Sequence, residues 1–64
     1  MLVRLYLNSG KILNWYVDKD TLDFIHKHMG QPGYTVTNRN DKGNIISMVN
    51  LGYVEYMEVE YTND

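Results

Sequence analysis

Leu2-Val3-Arg4-Leu5-Tyr6-Leu7-Asn8-Ser9-Gly10-Lys11-Ile12-Leu13-Asn14-Trp15-Tyr16-Val17 opens the chain with its clearest structural signal. Two apolar runs, Leu2–Leu7 and Ile12–Val17, flank a turn-forming Asn8-Ser9-Gly10-Lys11, which predicts a β-hairpin. A two-residue loop at Ser9-Gly10 would set Leu5 opposite Asn14 and Arg4 opposite Trp15, mixing polar and apolar side chains on both faces. A three-residue loop, with Gly10 in the left-handed position of a G1 bulge, pairs Leu5 with Leu13 and Val3 with Trp15. Val3, Leu5, Leu7, Leu13, Trp15 and Val17 then share one face. A slip of one residue would scatter that set, so the second register is preferred.

Downstream of the hairpin, Asp18 is placed to accept the free N–H groups of a helix's first turn. Val17 and Leu22 can close a hydrophobic staple around that start. Asp20 and Asp23 suit the positive end of the helix, and Lys27 and His28 the negative end. Leu22, Ile25 and Met29 form the apolar stripe, flanked by Phe24 and His28. Gly30 and Pro32 stop the helix. Three further strands are predicted: Tyr34–Arg39, Ile45–Val49 after the turn Asn40-Asp41-Lys42-Gly43, and Tyr53–Tyr61 after Asn50-Leu51-Gly52. In the last of these, Val54 and Tyr56 are expected on one face, with Met57, Val59 and Tyr61 on the other. Thr62-Asn63-Asp64 reads as a frayed tail. The expected architecture is one α+β domain over residues 1–64, in the order β-β-α-β-β-β, with one antiparallel sheet and a helix packed on one face.

A chain of 64 residues is near the lower limit for independent folding. With no cysteine, it has neither a disulfide nor a Cys-based zinc site. No apolar run approaches a membrane span, and Met1-Leu2-Val3-Arg4 lacks the pattern of a secretory signal, so a cytoplasmic location away from membranes is expected. Self-association is then the first candidate source of extra stability, and a homo-oligomer is expected.

The formal net charge of −2 conceals a gradient. Residues 1–43 carry six bases (Arg4, Lys11, Lys19, Lys27, Arg39, Lys42) against four acids (Asp18, Asp20, Asp23, Asp41). Residues 44–64 carry Glu55, Glu58, Glu60 and Asp64 and no base. Glu55, Glu58 and Glu60, with Tyr56, therefore make an acidic strand suited to a partner with a basic surface, or to addition onto a partner's sheet edge. A second candidate surface lies on the outward side of the hairpin, where Leu2, Arg4, Tyr6, Ile12, Asn14 and Tyr16 alternate with the core set. One short helix covers only one sheet face, and an aromatic and aliphatic patch on the other is better explained by self-association or ligand contact than by exposure to water. A barrel-like curl that buries the patch as a second core is the structural alternative.

Catalytic constellations are missing. Ser9 and Ser47 lack the Gly-x-Ser-x-Gly surround of a nucleophile elbow. His26 and His28, two apart on a helix, diverge too widely to hold one metal. Glu58 and Glu60 share a strand face with no pocket to raise a pKa. Gly30-Gln31-Pro32-Gly33 is a helix stop without phosphate-loop spacing. No cofactor, metal or enzymatic activity is expected. Aromatics on a sheet can stack nucleobases, but the acidic balance and two arginines make nucleic acid the weaker partner.

The Asn, Tyr and Lys usage and low alanine look like those of a low-GC bacterial source, and the run Ile45-Ile46-Ser47-Met48-Val49-Asn50-Leu51-Gly52-Tyr53-Val54-Glu55-Tyr56-Met57-Glu58-Val59 resembles the terminal hairpins of small phage and prophage proteins, a kind that includes anti-CRISPRs and other anti-defence factors. That resemblance implies a non-enzymatic regulator or inhibitor directed at a host defence protein. A homo-oligomer that binds a small ligand, such as a nucleotide signal, is the alternative.

Overall fold

Alternation in the opening hairpin sets the floor of the molecule. In the computed structural model, which describes residues 1–61, β1 (Leu2–Leu7) pairs with β2 (Ile12–Tyr16) in the register Val3↔Trp15 and Leu5↔Leu13. This is the three-residue-loop register. Gly10 takes φ +92°, which a residue with a Cβ adopts only under strain, and its N–H donates to the Leu7 carbonyl at 2.9 Å. Val3, Leu5 and Trp15 are buried, and Leu7, Leu13 and Val17 pack against them as half-buried neighbours.

The helix α1 (Lys19–His28) starts where expected. The Asp18 carboxylate accepts from the Thr21 backbone N–H at 2.8 Å, which satisfies one of the free donors of the first turn. The Thr21 side chain, and after it this backbone bond, hold the Asp18 carboxyl below its usual pKa. A group depressed in this way stabilises the fold above its unfolded pKa, and the benefit is lost as pH falls through the folded value. Asp18→Ala is therefore expected to lower the melting temperature by roughly 4–8 °C at neutral pH. The gap from wild type should close as the solution is acidified below pH ~4; an equal gap at pH ~2 and pH ~7 would contradict the capping role. Lys19 and Asp23 add an exposed i, i+4 pair at 2.9 Å. Leu22 and Ile25 point into the core and Met29 packs at its margin.

The order β-β-α-β-β-β is as the sequence predicts, but the strands divide into two antiparallel sheets rather than one. β3 (Thr35–Arg39) and β4 (Ile45–Asn50) make a two-stranded ribbon, while β5 (Val54–Glu60) pairs with β1, giving the order β2-β1-β5. The physical reason lies at Leu51–Tyr53. These residues form a single 3-10 turn instead of a hairpin loop, because the fully buried Leu51 side chain draws the chain into the core. The Asn50 side chain accepts from Gly52 N–H at 2.9 Å, and Leu51 is tied through its N–H to the Tyr34 carbonyl and through its carbonyl to the Gly30 N–H, both at 2.8 Å. The chain leaves this turn in line with β1, to which Asn8 N–H adds a bond to the Tyr53 carbonyl.

A second correction concerns β5. The register passes from Leu7↔Val54 to Tyr6↔Tyr56, so Glu55 is the extra residue of a β-bulge. The bulge places Val54 and Tyr56 on opposite faces rather than together. Val54 is buried, with Met57 and Val59 half-buried beside it, and Tyr56 faces out. The core thus consists of the inner face of the three-stranded sheet, the helix stripe, the near end of the ribbon through Val36 and Val49, and Leu51 of the 3-10 turn. The far end of the ribbon leaves Ile45, Ile46 and Met48 in solvent. Thr62-Asn63-Asp64, assigned by sequence to a tail, lies outside the described residues.

Candidate interaction surface

Because β1 is the central strand, its outward residues Leu2, Arg4 and Tyr6 have neighbours on both sides. Across β2 they face Tyr16, Asn14 and Ile12, and across β5 they face Glu60, Glu58 and Tyr56. The outward residues of the hairpin and those of the acidic strand, two separate groups in the sequence, therefore form a single three-by-three array. Glu55, the bulge residue, stands outside it. Among the described residues no helix covers this face and no curl of the sheet buries it: Tyr16 is 79% exposed, Tyr56 55% and Ile12 50%.

Arg4 organises the centre. Its Nε donates to Asn14 Oδ1 at 2.9 Å, and its Nη1 lies 3.7 Å from Glu58 Oε1. The Tyr6 hydroxyl donates to the same Glu58 oxygen, and the Tyr6 and Tyr56 rings meet at 5.3 Å with a 52° tilt. Donation to Glu58, above all, raises the Tyr6 pKa, because ionisation would lose that bond and set two anions together. The ion pair is half-exposed, so it fixes orientation more than it adds stability.

This geometry narrows what the face can do. A depression of about 150 Å³ on it, bordered by Leu2, Arg4, Glu58 and Glu60, is smaller than the ~300–1,000 Å³ that encloses a small-molecule ligand. The one arginine is already engaged by Asn14 and Glu58, which leaves little positive charge for a phosphate backbone. Glu58 is likewise spent on Arg4 and Tyr6, so Glu60 is the array's one acid without a partner among the described residues.

The two histidines separate as their spacing requires. His26 borders a groove with Leu22, Asp23, Met57 and Val59, on the β5 side of the helix. His28 stacks on Tyr34, with ring centroids 3.8 Å apart and planes 12° from parallel. Phe24 closes the group at 4.7 Å from His28 and 6.2 Å from Tyr34. Sequence reasoning missed this cluster. The signal was the i, i+4 spacing of Phe24 and His28, followed by a Gly30–Gly33 return that brings Tyr34 back across the helix. His28 Nδ1 lies 3.1 Å from Gln31 Oε1, so the cluster ties that return to the helix end. Among the described residues no three His, Asp or Glu side chains converge as a metal site would need, and no helix is long and apolar enough to cross a membrane. Comparison of the chain with protein families, with curated proteins and with solved structures finds no match.

Proposed function

We propose that this chain is a non-enzymatic binding protein, a small regulator or inhibitor that acts by laying the outer face of its three-stranded sheet on a partner protein. The observation that carries the reading is the uncovered array itself: Leu2, Tyr6, Ile12, Tyr16 and Tyr56 around a centre pre-ordered by Arg4, Asn14 and Glu58. Aromatic side chains bring large area at low entropic cost, and a fixed polar centre adds direction. The complementary surface would present apolar side chains to the tyrosines and Ile12, and a basic group to Glu60. The resemblance to small phage-borne anti-defence proteins gives the partner's class as a host protein.

The test is capture from host lysate with the wild-type chain, with Tyr6→Ser/Tyr56→Ser, and with His26→Ser as a helix-side control. The two tyrosines are not core residues, so both variants should stay folded by circular dichroism. The expected result is a discrete captured protein that the sheet variant loses, with affinity down at least about a hundredfold for two aromatic anchors, and that the control retains. Equal capture by all three would overturn the reading.

A further inference from the structure

We propose that the free edge of β2 pairs with the same edge of a second copy of this chain, antiparallel and two-fold symmetric, with Asn14 opposite Asn14. The hydrogen-bond phase of the hairpin exposes the groups required. Leu7 N–H donates to the Lys11 carbonyl and Val17 N–H to the Met1 carbonyl. Odd-numbered residues of β2 therefore turn their backbone groups toward β1, and antiparallel alternation leaves the N–H and C=O of Ile12, Asn14 and Tyr16 facing outward. Among the described residues β2 has β1 as its one strand neighbour.

The other strand edges carry protection that β2 lacks. β5 has Glu55, Glu58 and Glu60 and a bulge, and pairing it with itself would bring glutamates together. In β4 a register shift opposite Asn38 and Arg39 leaves Ile46 unpaired and shortens the regular edge, and β3 ends in Arg39. Ile12-Leu13-Asn14-Trp15-Tyr16 has no charge, no proline, no glycine and no bulge.

The sequence of β2 is also self-complementary in this register. Ile12 meets Tyr16 of the second copy, and Tyr16 meets Ile12, giving two branched-aromatic cross-strand pairs on the outer face. On the inner side the half-buried Leu13 meets Trp15. Lys11 then falls opposite Val17 and Asp18 opposite Gly10, so neither flanking charge meets a like charge across the seam. Each of the three outward-facing pairs exchanges two backbone bonds, about six in all. Beyond Trp15, Tyr16 and Val17 a groove of about 370 Å³, walled on its far side by Val36–Arg39, receives the incoming β1–β2 turn.

The product is a six-stranded sheet, β5-β1-β2-β2-β1-β5. One chain's array measures roughly 15 Å across three strands, small for a stable interface of ~800 Å² per partner. Pairing doubles it into one continuous surface. This consequence rests on the docking role proposed above, but the pairing itself does not.

The isolated full chain tests the pairing. Sedimentation and native mass measurement should give twice the 7.5 kDa chain mass. Asn14→Pro removes an outward N–H without touching the β1 ladder and should raise the dimer Kd by roughly tenfold or more. Tyr16→Lys, at an exposed position, should do the same if the proline variant fails to fold. Asn14→Cys should oxidise to a disulfide-linked dimer, since opposed Cα atoms of such a pair lie ~5.5 Å apart, and should do so much faster than Lys42→Cys in the distal turn. A wild-type monomer at all concentrations, a dimer indifferent to both edge substitutions, or equal oxidation of the two cysteine variants would overturn the proposal. Failure to capture a partner with an intact dimer would count against the docking role alone.

Discussion

Leu5→Ala is expected to leave the chain largely unfolded at room temperature. Leu5 sits on the central strand, opposite Leu13 on one side and Met57 on the other, and none of its surface reaches water. Removing its isobutyl group leaves a void in the buried cluster that the sheet, helix and ribbon share, at a cost of about 2–5 kcal/mol. A chain of this length holds a total of only about 3–10 kcal/mol, from ~0.05–0.15 per residue. The loss is therefore comparable with everything available, and with nine buried side chains among the described residues little else in the core can compensate. Urea titration followed by circular dichroism reads the outcome. A variant whose midpoint stays at the wild-type value would contradict this placement of the core.

Gly52→Ala is expected to be the most damaging of the glycine-to-alanine changes, for a reason unrelated to backbone freedom. Gly52 has no left-handed φ, so alanine is conformationally allowed there. The obstacle is space: a Cβ would stand 2.9 Å from Pro32 Cα and 3.2 Å from both Pro32 N and Asn50 Oδ1. Those are largely backbone atoms of the helix return, which is held by the Gly30-to-Leu51 and Leu51-to-Tyr34 hydrogen bonds and cannot move alone. Overpacking of this kind costs about 1–3 kcal/mol. It should also loosen the His28–Tyr34 stack at the other end of the return. At Gly10 and Gly43, by contrast, no atom lies within 4 Å of an added Cβ, and the cost is strain alone. Thermal melts of the alanine series and amide exchange at Gly30 and Leu51 would check this. Wild-type melting and protection in Gly52→Ala would refute the close approach.

How far the molecule could be read from its sequence depended on whether the signals were local. The hairpin register followed from period-two alternation and one glycine, because both strands and their turn lie within sixteen residues. The helix followed from Asp18, the Leu22–Ile25–Met29 stripe and Gly30. The division into two sheets was not legible, because Asn50-Leu51-Gly52 has the composition of a hairpin loop while Leu51 behaves as a core residue. The bulge at Glu55 was invisible for a related reason. Strict alternation through Val54–Tyr61 assumes an unbroken ladder, and the ladder is formed with β1, some fifty residues away. That same pairing is what joins Tyr56, Glu58 and Glu60 to Arg4 and Tyr6. The sequence supplied both halves of the candidate surface, but their adjacency is a property of the tertiary fold. It also changes their meaning, since Glu58, which reads as a free acid for a basic partner, is used internally to hold Arg4 and Tyr6.

Photo-crosslinking in host cells tests whether the outer face of the three-stranded sheet is the recognition surface. A photoreactive residue would be placed at Tyr56 on that face and, separately, at His26 on the helix. A discrete adduct with a second protein is expected from position 56 and none from position 26. Adducts from position 26 alone, or equally from both positions, would contradict that role.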